Sequence, residues 1–202
     1  MRIAISQCHV KHGGAVNAKF RMNERDELAK VNRFLIGILM HHGHLVQYIE
    51  DPSLADRINL INAGHDGMPY DLTIENHLNA FDTTKSGCMV LHAPGGTSRW
   101  VDQRAVHTAE PSSPRRLQAE AMSCILASYV GNENLGPRPG WYWGGRTPGM
   151  RKDAFLTKTM CPAFILEAGY IDNDKFCDTW FACGRHKQLA EAHYQALDTF
   201  KL

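Results

Sequence analysis

No run of about 18 apolar residues occurs anywhere in the 202-residue chain, so no membrane-spanning helix is expected. The first apolar run, residues 3–5, is broken by Gln7 and is too short for the core of a secretory signal. That predicts a chain made in the cytoplasm. An excess of one charge is missing too: 22 Lys+Arg against 21 Asp+Glu leave a formal charge of +1. Nothing in that balance attracts nucleic acid or an anionic membrane surface, and a polar, roughly neutral substrate fits better. The six cysteines include no C-x-x-C pair and lie mostly in apolar segments, which favours reduced, buried thiols over a disulfide framework. Internal repeats are absent, and the length suits one well-buried core, so residues 1–202 are read as a single domain. What stands out on the positive side is eleven histidines.

Strand and helix signals alternate along the chain. The apolar run at residues 3–5 leads into SQCHVKHGG, a strand followed by a glycine-containing loop. Asn23 is a candidate N-cap for a helix whose stripe is Leu28, Val31, Phe34, Leu35, Ile38 and Leu39, ending near Gly43. The HHGH cluster at residues 41–44 resembles a metal tract, but a helix C-terminus accounts for histidines there more simply. Residues 45–49 form a second strand, with Ser53 in the turn that caps a short helix through Ile58 and Ile61. Residues 70–75 and 87–92 read as third and fourth strands, and residues 97–114 as polar and irregular. A helix through Leu117, Ala121 and Ile125 precedes a long loop, GNENLGPRPGWYWGGRTPG. Residues 162–166 are a buried strand, Asp172 is a candidate cap, and residues 189–200 are a closing helix. This alternation predicts an α/β fold: a mostly parallel, twisted sheet with helices on both faces.

In such a sheet the carboxyl ends of parallel strands open onto one crevice. Three strands run into a titratable group at that end: the first into His9, the third into His77 and the last into Glu167. Glu24, opening the first helix, enters from the same edge. Two imidazoles and a carboxylate suit Zn²⁺, with a further carboxylate nearby as general base. Glu167 carries the strongest individual signal, because a carboxylate following the apolar run PAFIL costs several kcal/mol unless it is paired or faces a polar site. Considered singly, His77 is equally a hydrogen-bonded core histidine and Glu24 a first-turn acid favoured by the helix dipole. His9 and His12 suit a metal, a base or a loop alike. His92, at the end of the fourth strand, is a candidate for lining a pocket. Arg138, Trp141, Trp143 and Arg146 in the long loop suit a sugar or peptide surface, or packing over the core.

The four chemical residues stand in motifs that resemble those of the zinc-dependent N-acetylmuramoyl-L-alanine amidases of autolysins and phage endolysins, the Amidase_3 family. SQCH occupies the place of the family's Asp-Pro-Gly-His, with His9 matching the first ligand. Glu24 matches the glutamate that opens a helix, with Leu35 and Leu39 in register, and LADRINLIN is similar to the family's Leu-x-x-Arg segment. IENHLNA matches Ser-Ile-His-x-Asn-Ala at His77, and LEAGYIDN matches Val-Glu-x-Gly-Phe-x-x-Asn at Glu167. The departures are Cys8 in place of a glycine, Val10, Lys11 and His12 inserted before Gly13 and Gly14, and Glu75 and Asn76 in place of Ser and a small apolar residue. They leave Cys8 and His12 as alternative ligands.

The resemblance implies a zinc hydrolase that cleaves the amide between N-acetylmuramic acid and the L-alanine of the peptidoglycan stem peptide. His9, Glu24 and His77 would hold the metal and Glu167 would move the proton. The missing signal segment points within that family to a phage-type endolysin, kept in the cytoplasm until lysis, and no separate wall-binding domain and a monomer are expected. The alternatives are a carboxypeptidase-type zinc peptidase acting on the stem peptide and a non-catalytic wall-binding module.

Overall fold

The computed structural model describes residues 1–93, 98–101, 104–107, 113–143 and 150–200. Six strands build the main sheet: β1 (Arg2–Ser6), β2 (Leu45–Ile49), β3 (Leu72–Asn79), β4 (Cys88–His92), β5 (Asn134–Pro139) and β6 (Ala163–Tyr170). Their spatial order is β2-β1-β3-β6-β4-β5. The first four in that order are mutually parallel, while β4 runs antiparallel to β6 and parallel to β5. The sheet is therefore mostly parallel, as expected, with a reversed edge.

Period-2 alternation sends the strand residues to two faces. Ile3, Ile5, Leu72, Ile74, Val90, Phe164 and Leu166 pack under three helices, α1 (Glu24–His41), α3 (Pro114–Val130) and α5 (His186–Asp198). Ala4, Ile49, Ala163 and Ile165 face the other way, onto a smaller cluster with Ile61 of α2 (Leu54–Ala63) and Phe155 and Leu156 of α4 (Ala154–Lys158). Helix α1 shows the sequence logic plainly. Leu28, Val31, Leu35 and Leu39 are buried, each worth about 1.5–3 kcal/mol by transfer from water, while Phe34 of the same stripe is exposed. Asn23 caps this helix by accepting from Asp26 N, and Ser53 caps α2 by accepting from Asp56 N. All six cysteines are free.

Several elements differ from the sequence reading. The first strand stops at Ser6, so His9 lies in the turn beyond it. Conversely, β3 and β6 continue through Asn79 and Tyr170, so His77 and Glu167 lie within their strands. Polar side chains on one face of a pleat leave the ladder intact, and composition alone places the strand end too early. Residues 98–101 and 104–107 form an antiparallel hairpin where an irregular stretch was expected. The long loop supplies the edge strand β5, despite Pro137 and Pro139, and residues 141–143 pair with 150–152. An edge strand has one side free of the ladder and tolerates proline there. Asn173, not Asp172, caps the helical turn Asp174–Cys177; Asp172 instead accepts from the amides of Phe81 and Thr83.

Candidate metal and active site

His9 and Glu24 are brought together by the loop between β1 and α1. His9 adopts a left-handed backbone conformation (φ 49°), which costs a non-glycine residue about 1 kcal/mol or more, and its carbonyl accepts from the amides of His12 and Gly13. The loop is then stitched to the first turn of α1: Arg25 N donates to Gly13 O, and Glu24 N to Ala15 O. Gly14 (φ +74°) is required here, because a Cβ would stand 2.5 Å from Glu24 Oε2 and 2.9 Å from His9 Cδ2. The Glu24 carboxylate accepts from Ala15 N at 3.2 Å and from Leu78 N at 3.0 Å, so it is oriented before any ligand arrives.

Around that carboxylate the two imidazoles close in. His9 Nε2 lies 3.3 Å from Glu24 Oε2, and His77 Nδ1 lies 3.1 Å from Glu24 Oε1. On its far side the His77 ring donates from Nε2 to Glu75 Oε2 at 3.2 Å. Glu75 is in turn held by Ser6 Oγ at 2.5 Å and by the guanidinium of Arg57 at 3.3 Å, all three being buried. A carboxylate behind a histidine fixes which nitrogen carries hydrogen, and so aims Nδ1 of His77 at Glu24 and the space beside it. Ser6 and Glu75 are register partners on β1 and β3.

Glu167 is the register partner of His77, which sets its side chain beside the imidazole on the same face of the sheet. Its Oε2 is buried with no hydrogen-bond partner. Burial pushes the Glu167 carboxyl up to about 7; Glu24 adds to the rise, and His77 and His9 oppose it. Burial acts on Glu24 in the same sense, but the hydrogen bonds from His77 and His9 outweigh it and hold this carboxyl well below the usual range. For His77, burial favours the neutral ring, yet the surrounding Cys8, Glu24, Glu75 and Glu167 raise its pKa well above the ordinary value. One ligand atom from each of Cys8, His9, Glu24 and His77 lies within 4.8 Å of the others, and this is the one such cluster among the described residues. Nitrogen, carboxylate and sulfur donors at that spacing suit a zinc ion, and the unpartnered Glu167 oxygen beside them suits a proton acceptor. His9 and His77 open onto a cleft of about 340 Å³ rimmed by Lys11, His12 and Asp153.

The remaining candidates fall elsewhere. His92 is buried, and its register with Phe164 puts it on the opposite face of the sheet from Glu167, donating from Nδ1 to Ala93 O. Arg138 is exposed on edge strand β5, in the row that crosses Leu91, Ile165 and Glu75 and so on the same face as the cleft. Trp141 and Trp143 belong to a strand whose side chains are outside the described residues, as is Arg146 altogether. His41 and His42 end α1, and His42 stacks on Tyr194 at 4.4 Å, as a helix terminus rather than a metal tract. Glu75 and Arg57 join the site only through the fold. The signal in the sequence was an acid two residues before a histidine in a buried strand, which puts both on one face.

The family model described as N-acetylmuramoyl-L-alanine amidase matches residues 3–199. No curated relative is close enough in sequence to match. Among solved structures, the fold is similar to the catalytic domain of the CD27L endolysin targeting Clostridia difficile, with a TM-score of 0.71, 20% identity, and 100% of this chain and 99% of that one covered. It is similar also to the catalytic domain of the amidase CwlV from Bacillus (Paenibacillus) polymyxa var. colistinus, with a TM-score of 0.72, 18% identity, and 98% and 96% covered. An N-acetylmuramoyl-L-alanine amidase from Clostridium difficile 630 superposes with a TM-score of 0.74, 17% identity, and 98% and 95% covered.

Proposed function

Because this chain belongs to the N-acetylmuramoyl-L-alanine amidase family and is an enzyme of that class, we propose that it cleaves the bond between N-acetylmuramic acid and L-alanine with zinc held by His9, Glu24 and His77. The observation that carries this reading is the buried, unpartnered Oε2 of Glu167 beside the His77 ring that faces Glu24. Bound there, zinc supplies Lewis acidity, polarising the scissile carbonyl and making a neighbouring water acidic near neutral pH. Glu167 Oε2 takes the proton as that water's oxygen adds to the carbonyl carbon. It then delivers the proton to the alanine nitrogen as the C–N bond breaks, leaving a carboxyl on the lactyl group and a free amine on the peptide. Burial without a partner raises this carboxyl, the direction that suits a group which both takes and gives a proton. Glu75 keeps His77 in the tautomer that presents Nδ1. The cleft rim, with Lys11 and His12, and the exposed Arg138 on the same face are the surfaces offered to glycan and peptide.

The test is digestion of purified peptidoglycan by the zinc-loaded protein, with identification of the new ends. New L-alanine amino termini are expected; new reducing sugars or released terminal amino acids overturn the reading in favour of a glycosidase or a carboxypeptidase. Glu167→Gln is expected to keep its zinc and lose turnover by about 10²–10⁴-fold, the usual worth of a positioned acid–base group. The endolysin role draws support from the likeness to an endolysin catalytic domain, and cytoplasmic storage and action as a monomer are proposed with it. It is tested by producing the chain inside cells with and without a membrane-permeabilising partner, lysis being expected only with it.

A further inference from the structure

We propose that Cys8 is a fourth protein group on the metal, so that the resting site is closed by sulfur, two imidazoles and a carboxylate. This rests on the reading of His9, Glu24 and His77 as zinc ligands. Cys8 occupies the glycine position of the family motif, so its sulfur is an addition to the three-ligand set. Its Sγ belongs to the cluster of four donor atoms that lie within 4.8 Å of one another, and it is 3.9 Å from Glu24 Oε1. A tetrahedral ion with metal–donor distances of about 2.0–2.3 Å would draw the widest pair of that cluster together by about 1 Å.

A buried cysteine is more often a small apolar filler, and Cys8 does pack in the main core, 1% exposed. Its surroundings argue otherwise. The other two buried cysteines, Cys88 and Cys177, each donate to a backbone carbonyl at 3.0 Å, those of Ala168 and Ile171, as ordinary thiols do. The Cys8 thiol instead faces the Glu24 carboxylate, 3.9 Å away, and Gln7 holds the Cys8 backbone. Gln7 Oε1 accepts from Asn32 Nδ2 at 3.0 Å and from Tyr48 OH at 2.6 Å, which leaves the amide nitrogen no choice of direction. That nitrogen donates to Cys8 O at 3.1 Å and to Arg25 O at 3.4 Å, with Cys8 Sγ at 3.8 Å. Asn76 Nδ2 donates to Asn32 Oδ1 at 2.7 Å and completes the chain. That network fixes the backbone of Cys8 against the first turn of α1, where Glu24 stands, and so gives the residue the kind of outer support that metal ligands have.

The consequence concerns regulation of the same site. Four protein donors fill a tetrahedral ion and leave no position for water. Cys8 must then withdraw, or the ion must accept a fifth neighbour, before the water that Glu167 deprotonates can approach. Sulfur in the set also predicts slower loss of metal than from a site of two histidines and a glutamate.

The experiment replaces zinc with Co²⁺ in the whole protein and records the near-ultraviolet spectrum of the wild type, Cys8→Ser and Cys8→Ala. A sulfur-to-cobalt charge-transfer band is expected in the wild type and its loss in both variants, with cobalt still bound at one per chain. Zinc should leave each variant for a chelator at least about tenfold faster. Cobalt bound by the wild type without the band, or a band that survives removal of Cys8, overturns the proposal while the amidase reading stands. Failure of the wild type to bind any metal overturns both. Should the variants not fold, the wild-type spectrum decides alone. New ends other than L-alanine from peptidoglycan sink the amidase reading and leave the sulfur ligand untouched.

Discussion

At the residue scale, the site is a set of charges that only make sense together. Glu75 is buried two residues from His77 and touches His77, Ser6 and Arg57. A lone ionised carboxylate at that depth would cost several kcal/mol, and Arg57 with the Ser6 hydroxyl offsets it. Burial alone would raise the pKa of Glu75, but the hydrogen bond from His77 and the nearby Arg57 leave it lowered. Glu75→Gln keeps the shape but strands the Arg57 charge. It is expected to destabilise the fold by about 3–5 kcal/mol, read by chemical denaturation. Zinc affinity should fall by about 10–100-fold, read by competition with a chromophoric chelator. Of the four chemical residues only Glu167 stands out singly, against the apolar run before it; His9, Glu24 and His77 are nameable from the sequence through the motifs that resemble the amidase family. Glu75 is not, because its task depends on which residues lie across the register from it.

At the scale of elements, two caps that look alike have different reach. Asn23 ends the loop that carries His9 and begins the helix whose first residue is Glu24, whereas Ser53 starts α2 with no ligand in its first turn. Either residue changed to alanine should cost about 1 kcal/mol of stability. Asn23→Ala should weaken zinc binding the more, because fraying of the first turn of α1 moves Glu24 itself, whereas fraying of α2 acts only through Arg57 and Glu75. Equal zinc affinity in the two variants would show that the backbone donors Ala15 N and Leu78 N hold Glu24 without the cap. Helix caps and amphipathic stripes are local, and both helix starts are legible from a few residues. Strand β5 is not, since proline, glycine and asparagine argue for a loop, and only the free edge beside β4 makes the segment a strand.

The whole molecule responds to acid through a residue far from the site. His193 on α5 is buried; its Nδ1 donates to Leu189 O at 2.7 Å, while Nε2 has no hydrogen-bond partner. Burial lowers its pKa from 6.5 to about 4, with the bond to Leu189 opposing the shift. The unfolded chain therefore takes up this proton first as pH falls. The stability contributed by the neutral ring is complete above about 6.5 and is lost on the way down to about 4, a change on the order of 3 kcal/mol. Thermal unfolding between pH 7 and 4 should show this loss, and His193→Leu, of similar bulk, should flatten that part of the profile. An unchanged acid limb in the variant would assign it to other groups.

What the sequence by itself determined is the order of apolar strands and helices, the helix starts at Asn23 and Ser53, the reduced cysteines and a short roster of chemical side chains, because these depend on neighbours within a turn or a pleat. Only the tertiary structure decided that β4 reverses, that β5 closes the edge, that His92 faces away from Glu167, and that Ser6, Arg57 and Glu75 stand behind His77. Those facts belong to register and packing between segments far apart in the chain, and periodicity within a segment carries no information about which partner lies across from it.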